Sequence, residues 1–213
     1  MSVNHSVEAN EEALLDRLRS GDRDVLGELF RLHRARLWRL VRFRMDRRLL
    51  GRIDPDDVLQ EAFLAGSHRV ESYLTEPGAS FFVWLRLIVM QTLCDLHRHH
   101  LGAQMRDVRR DISLDPAFDG TRTSVCLAAI LVGSLTSPSQ AIAAIELMAR
   151  LEQAISSMSE IDQEIIALRH FEDLNNLETA EALGLTPQAA SNRYVRAISR
   201  LKQILTPFQD TAP

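Results

Sequence analysis

The sequence predicts an all-α protein with two helical domains joined by a linker, the second of which is a helix-turn-helix domain. Apolar residues recur with a period close to 3.6 residues in much of the chain, for example from Asp22 to Leu50. The 213 residues include only 9 Gly, 7 Pro and 6% aromatic residues, which argues against a sheet-rich or disordered chain. A turn-rich stretch at 111–137 interrupts the pattern, so we expect domains at 1–110 and 138–213.

The first domain is predicted to contain three strong helical segments. The first is the periodic segment described above, which we expect to end at Gly51. The second begins after Asp54, which can cap the helix, and Pro55 occupies its first position. The break at 76–80 precedes the third segment, which is predicted over about 81–110.

The second domain contains the signals of two short helices joined by a tight turn. Asn175 and Glu178 have the spacing of a cap and its reciprocal partner at the start of the first helix. Gly184 can adopt the positive φ that a tight turn requires. Thr186 then caps a second helix with Pro187 at its first position. This arrangement is typical of the helix-turn-helix that reads DNA.

The second helix of this pair begins the stretch "LTPQAASNRYVRAISRL" at 185–201, which has no acidic residue. At about 100° per residue, its amide and guanidinium side chains lie opposite or beside an apolar stripe. Gln and Asn can bond to adenine edges and Arg to guanine, while flanking cations suit phosphates. The predicted DNA-contacting residues are therefore Gln188, Asn192, Arg193, Arg196 and Arg200. The alternative is an ordinary solvated amphipathic helix.

Another candidate surface lies on the helix predicted to begin at Pro55. Asp57, Gln60, Glu61 and Leu64 follow the i, i+3, i+4, i+7 spacing that places side chains on one helical face. Acidic groups around an apolar contact suit a basic partner helix. The alternative is a solvated acidic face on a helix whose other side packs into the core.

Charge is unevenly distributed along a chain whose formal net charge is −4. Residues 17–52 contain 12 Arg against four acidic residues, whereas 138–185 are strongly acidic. Separate basic and acidic surfaces fit contact with both nucleic acid and protein. The first 16 residues lack the pattern of a signal peptide and no apolar run is long enough to span a bilayer. We therefore expect a cytoplasmic protein without membrane insertion.

Four segments resemble motifs of bacterial sigma factors of the sigma-70 family, especially the extracytoplasmic-function (ECF) group. "LNNLETAEALGLTPQAASNRYVRAISRL" resembles the fourth conserved region, and "IDQEIIALRHFEDL" before it resembles R-E-V-[IL]-x-L-R-x-x-E-G-L. "DPDDVLQEAFL" resembles the D-[LV]-x-Q-E-x-F core of the second region. "FFVWLRLIVMQTLCDLHRHH" resembles the motif that follows it, F-x-x-W-L-x-x-I-[AV]-x-N-x-x-x-D-x-x-R.

The resemblance implies a role for each segment. In the family the second region docks on the β′ clamp helices of core RNA polymerase, which assigns polymerase binding to Asp57, Gln60 and Glu61. The next helix captures an unstacked base of the minus-ten promoter element, which assigns DNA contacts to Arg98 and to Gln91, where the family usually has Asn. The helix-turn-helix reads the minus-thirty-five element beside the β flap.

The implied function is a sigma factor that directs core polymerase to specific promoters and assists promoter melting. The resemblance implies no catalytic activity and no cofactor, and it adds an anti-sigma factor as a candidate partner. Ala189, Ala190 and Ser191 depart from the family pattern, so we expect weak DNA binding by the second domain alone. A basic groove beside the minus-ten helix would draw on Arg86, His97, Arg98, His99, His100, Arg106, Arg109 and Arg110.

Two other functions compete with this interpretation. Cys94, His97 and His100 have helical spacing that could contribute to a zinc site, but no second Cys/His cluster completes one, so no metal is predicted. The chain could instead be a helix-turn-helix regulator that acts without core polymerase through an N-terminal effector or dimerisation domain. As a further hypothesis, the apolar piece at 125–135 packs the two domains together or meets an anti-sigma partner.

Overall fold

A computed structural model describes residues 2–45, 49, 51–76, 78–101, 151–153 and 155–209. Helices are the only regular secondary structure within these ranges, which confirms the all-α class. The chain divides into two compact units, Met1–Asp111 and Ile112–Pro213. The predicted linker at 111–137, including its apolar piece, lies outside the described residues, and its role stays a prediction.

The first unit contains four described helices: α1 (Ser2–Arg19), α2 (Val25–Arg44), α3 (Pro55–Thr75) and α4 (Phe81–Leu101). Helix α2 packs against α1, α3 and α4, and α3 also packs against α4. The core of the unit is apolar and includes Leu18, Leu29, Leu37, Val58, Phe81, Phe82 and Leu85. An aromatic cluster joins α3 to α4, with the Tyr73 ring centroid 5.5 Å from Phe81 and 4.9 Å from Trp84.

The boundaries of the first helices differ from those predicted. Helix α2 ends at Arg44 rather than at Gly51, because Met45 adopts an extended conformation with ψ of 134°. Met45 and Leu49 are both buried, so the chain leaves the helix to place these side chains in the core. The predicted continuation of α4 to residue 110 lies outside the described residues.

Helix α1 was not predicted. Among residues 9–19, whose side chains the structure describes, the buried apolar residues of this helix are Leu14, Leu15 and Leu18. Three apolar residues in one turn do not establish a period, so the sequence lacked the signal on which the other helices were predicted. Arg17 and Arg19 in its last turn are placed favourably at the negative end of the helix dipole.

The second unit contains α5 (Glu160–His170), α6 (Asn176–Leu183) and α7 (Pro187–Gln209), preceded by helical residues at 151–153 and 155–156. Helix α7 packs against both α5 and α6. The core residues of this unit include Leu151, Ile155, Ile165, Leu168, Leu174, Ala180, Ala197 and Leu201. Ser159 caps α5 by accepting a hydrogen bond from the Asp162 backbone N–H.

Candidate nucleic-acid interface

The structure confirms the helix-turn-helix in the second unit. Asn175 Oδ1 accepts from the Glu178 N–H at 2.9 Å, and Glu178 Oε2 accepts from the Asn175 N–H at 2.8 Å, which completes the predicted capping box. Gly184 has a φ of 62°, as its position in the turn requires. The Thr186 hydroxyl accepts from the Ala189 N–H at 3.2 Å at the start of α7.

A side-chain bond also fixes the two helices of this motif to each other. Asn176 Nδ2 donates to the carbonyl oxygen of Pro187 at 2.9 Å, and so joins the first residue of α6 to the first residue of α7. The turn is therefore held by a glycine, a hydroxyl cap and an amide. These contacts fix the direction of α7 relative to α6.

Helix α7 presents a polar outer face and buries its opposite side. Gln188, Asn192 and Arg196 are exposed, whereas Ala190 and Ala197 are buried. Gln188 Nε2 donates to Asn192 Oδ1 at 3.1 Å, and Arg196 Nε donates to the Asn192 carbonyl at 3.3 Å. The paired amides retain both donor and acceptor atoms, so the face can still bond to base edges.

The two flanking arginines of α7 contact the body of the domain. Arg193 is partly buried, and its Nη1 lies 3.2 Å from Asp162 Oδ1 in the first turn of α5. Arg200 Nη2 donates to Ser157 Oγ at 3.1 Å and is exposed. To contact DNA, Arg193 would have to break its ion pair with the Asp162 carboxylate. Arg200 would have to break only a hydrogen bond to the neutral Ser157 hydroxyl.

Tyr194 on the inner side of α7 contacts two basic residues of α5. Its hydroxyl lies 3.1 Å from His170 Nε2, and the Arg169 guanidinium lies 5.0 Å from the centre of its ring. Partial burial of the imidazole and the neighbouring Arg169 charge lower the pKa of His170, although Asp173 acts in the opposite sense. The neutral imidazole can accept a hydrogen bond from the Tyr194 hydroxyl, which favours this packing at neutral pH.

The predicted polymerase-binding residues lie together on the exposed face of α3. Asp57, Gln60 and Glu61 are all exposed, and Leu64 beside them is 58% exposed. The Asp54 carboxylate caps this helix by accepting from the Asp56 N–H at 2.9 Å, as the sequence predicted. The opposite side of α3 packs into the core, so the geometry fits both a partner surface and a solvated face.

A groove of about 500 Å³ lies between α2 and α3 next to this surface. Its apolar lining comes from Phe30, Leu59, Phe63 and Leu64, and polar side chains surround it, including Gln60. An ion pair between Arg34 and Asp56, 2.7 Å apart, crosses from α2 to α3 at its edge. The exposed α3 face is therefore bordered by apolar as well as charged surface.

The predicted minus-ten residues lie on the exposed side of α4. Gln91 is partly exposed and Arg98 is exposed. Gln91 Oε1 accepts from Arg69 Nη1 of α3 at 2.5 Å, and Arg98 Nη2 lies 2.6 Å from Asp95 Oδ1. Arg69 was missed in the sequence because its proximity to Gln91 depends on the packing of α3 against α4.

The composition of the predicted basic groove is wrong in part. Arg86 and His97 are buried, so they cannot belong to an exposed basic surface, whereas Arg98 and His99 are exposed. The reason is that α4 is buried on most sides and leaves only a narrow stripe of its surface to solvent. The other three arginines predicted for the groove lie outside the described residues, as does the side chain of His100.

Two general properties of the described part of the chain bear on function. Its helices include none that is long and apolar enough to cross a membrane. Among the same residues, no group of three or more His, Cys, Asp or Glu side chains is arranged to hold a metal ion.

The fold and its exposed faces define a class of protein with a helix-turn-helix unit and another helical unit, of which four helices are described. Sigma-70 region 2 matches residues 29–101, and sigma-70 region 4 matches residues 148–201. Together these matches span more than half of the chain. The chain therefore belongs to the sigma-70 family of RNA polymerase sigma factors, within its ECF group.

Several relatives resemble the chain over nearly its whole length. It is 21% identical to the ECF RNA polymerase sigma factor SigW of Bacillus subtilis over 192 residues, which cover 90% of this chain and 94% of SigW. It is 25% identical to the RNA polymerase sigma factor CnrH of Cupriavidus metallidurans, with 87% of this chain and 89% of CnrH covered. The solved structure of CnrH in complex with the cytosolic domain of CnrY has a similar fold, with a TM-score of 0.51, 23% identity and coverage of 92% of this chain and 97% of CnrH.

Proposed function

We propose that this sigma factor directs core RNA polymerase to promoters through three separate surfaces. The exposed face of α3 binds the β′ clamp helices, the exposed stripe of α4 contacts the minus-ten element during melting, and the outer face of α7 reads the minus-thirty-five element. The second unit also contacts the β flap. The observation that carries the proposal is that the regions matched to the family each expose the polar side chains expected to bind.

The α3 surface is supported by its charge and its apolar neighbour. Asp57 and Glu61 supply negative charge beside the exposed Leu64, a combination suited to a helix with basic and apolar side chains. Acidic side chains on this face would speed encounter with such a partner, and the apolar contact would slow dissociation.

The test of this surface is a charge reversal. Glu61→Lys should weaken binding to core polymerase at least tenfold, because it places a cation against a basic partner. The matched control is Ser72→Lys, which adds the same side chain at an exposed α3 position about 16 Å along the helix. Equal affinities for both variants, measured by fluorescence competition for core, would contradict the assignment.

The α7 surface predicts different behaviour for its two exposed arginines. Arg196 lies on the outer face, so Arg196→Ala should cost about 1–3 kcal/mol and relax base preference at one position of the minus-thirty-five element. Arg200→Ala should weaken binding similarly on all sequences, since a phosphate contact carries no base information. Both are measured with polymerase holoenzyme on a set of promoter variants, and a uniform loss in Arg196→Ala would refute its base contact.

The remaining parts of the proposal concern catalysis, location and regulation. We propose that the chain has no catalytic activity of its own, consistent with a family of transcription initiation factors, and that it acts in the cytoplasm. CnrH is solved in complex with the cytosolic domain of CnrY. By analogy we propose that this chain also takes a protein partner, an anti-sigma factor, when it is not bound to polymerase.

A further inference from the structure

We infer that Arg69 is a positioning residue that restricts the base chosen by Gln91. The inference rests on the proposed contact between α4 and the minus-ten element, and it concerns the hydrogen bond that joins α3 to α4 at this surface. Arg69 Nη1 donates to Gln91 Oε1 at 2.5 Å. This bond spans 22 residues of sequence and occurs on the exposed side of both helices.

The surroundings of this bond are better suited to binding a ligand than to stabilising the fold. The exposed stripe of α4 runs through Leu87, Gln91, Asp95 and Arg98, each about one helical turn from the next. Leu87 is 51% exposed, so an apolar side chain stands beside the amide without being covered. An unpaired base could rest on this side chain while the amide bonds to its edge.

The bond decides which atoms of Gln91 can meet a base. A glutamine amide offers one acceptor oxygen and two N–H donors, and with both kinds of atom available it can pair with adenine through two bonds. Arg69 occupies one of the two lone pairs of the oxygen and orients the amide so that Nε2 is left to face a ligand. Among the described residues, Nε2 has no hydrogen-bond partner. Nε2 and the remaining N–H groups of Arg69 therefore make this surface mainly a hydrogen-bond donor.

A surface that presents mainly N–H donors changes the order of base preference. Thymine and guanine carry a carbonyl oxygen, O4 or O6, where adenine and cytosine carry an amino group. The carbonyl oxygens can accept from Nε2, whereas the amino groups must compete with Arg69 for Oε1. Arg69 thus favours thymine or guanine over adenine or cytosine at the base contacted by Gln91.

The experiment measures initiation by holoenzyme made with the full-length chain on promoters that carry each of the four bases at each non-template minus-ten position. Arg69→Leu should raise the use of adenine and cytosine relative to thymine and guanine about two- to tenfold at one position, the range expected for one hydrogen bond. Arg69→Lys should restore the original order, because an ammonium can also donate to Oε1. Gln91→Ala should abolish the effect of Arg69→Leu in the double variant.

The control is Arg98→Ala, which removes another exposed arginine of the same stripe. It should reduce initiation uniformly without changing the order of bases. A uniform reduction in Arg69→Leu would make Arg69 a phosphate contact alone and would overturn the inference. An unchanged preference in Gln91→Ala, with promoter-dependent initiation intact, would overturn it while leaving the proposed function standing. Failure of the wild-type chain to initiate at any promoter would overturn both.

Discussion

The turn between α6 and α7 allows a prediction whose magnitude follows from one backbone angle. Gly184 has φ of 62° and ψ of 32°, and its N–H bonds to the carbonyl oxygens of Ala180 and Glu181 at the end of α6. A Cβ atom added to Gly184 would meet no atom within 4 Å. The cost of a side chain there is therefore conformational rather than steric.

The substitution Gly184→Ala should destabilise the second unit by about 1–2 kcal/mol, the cost of the left-handed conformation for an ordinary residue. Gly184→Asn should lose clearly less, because asparagine tolerates this region of φ and ψ. The comparison isolates the backbone, since both substitutions add a Cβ atom in open space.

Hydrogen exchange of the α5, α6 and α7 amides in the full chain measures this cost directly, because their opening should become easier by the predicted free energy. Both tryptophans, Trp38 and Trp84, belong to the first unit, so unfolding followed by tryptophan fluorescence serves as an internal control. That transition should not move. Equal losses in the Ala and Asn variants, or no loss in either, would refute the reasoning.

Three further predictions concern the same unit. Asn175→Ala removes the cap of α6 and should cost about 1 kcal/mol, seen as faster exchange of the α6 amides, whereas unchanged exchange would argue against the capping box. Asp173→Gly should stabilise the unit by up to about 1 kcal/mol in a thermal melt, because Asp173 has a positive φ of 56°; a loss would mean that its side-chain contacts outweigh the strain. Because the pKa of His170 is lowered in the folded protein, the unfolded chain binds a proton at this histidine more readily than the folded chain does. The free energy of unfolding should therefore fall as the pH drops through about 6.5 and below. His170→Gln should flatten this dependence in thermal melts measured over a range of pH.

Local signals in the sequence were sufficient to predict most of the helix-turn-helix. The capping pair Asn175 and Glu178, the turn at Gly184 and the cap at Thr186 each depend on residues a few positions apart, and the structure confirms all of them. The outer face of α7 also follows from helical geometry alone once its start at Pro187 is known. Such features need no information from distant parts of the chain.

Features set by tertiary packing could not be predicted in the same way. Helix α2 stops at Arg44 because Met45 and Leu49 are drawn into the core, although the apolar period continues beyond that point. Arg86 has a charge that suggests the surface, yet α4 is enclosed on the side where it lies. The Arg69 bond to Gln91 likewise exists only because α3 packs against α4.

The left-handed turn at Asp173 is indicated by the family motif but not by the residue that this chain has there. The family segment has glycine in the corresponding E-G-L pattern, whereas this chain has Glu172, Asp173 and Leu174. The backbone nevertheless adopts the left-handed conformation at Asp173 that glycine favours. The conformation of the turn after α5 was therefore implied by the family pattern rather than by the residue present.

The central claim is that this chain makes RNA polymerase initiate at particular promoters. The most direct measurement is in-vitro transcription with purified core polymerase, the full chain and a library of genomic fragments, followed by sequencing of transcript 5′ ends. We expect starts downstream of a shared pair of minus-thirty-five and minus-ten elements, with the starts lost in Glu61→Lys and their minus-thirty-five preference relaxed in Arg196→Ala. A chain that neither binds core nor directs any start, and instead binds a palindromic site as a dimer, would contradict this claim and establish a regulator that acts without core polymerase.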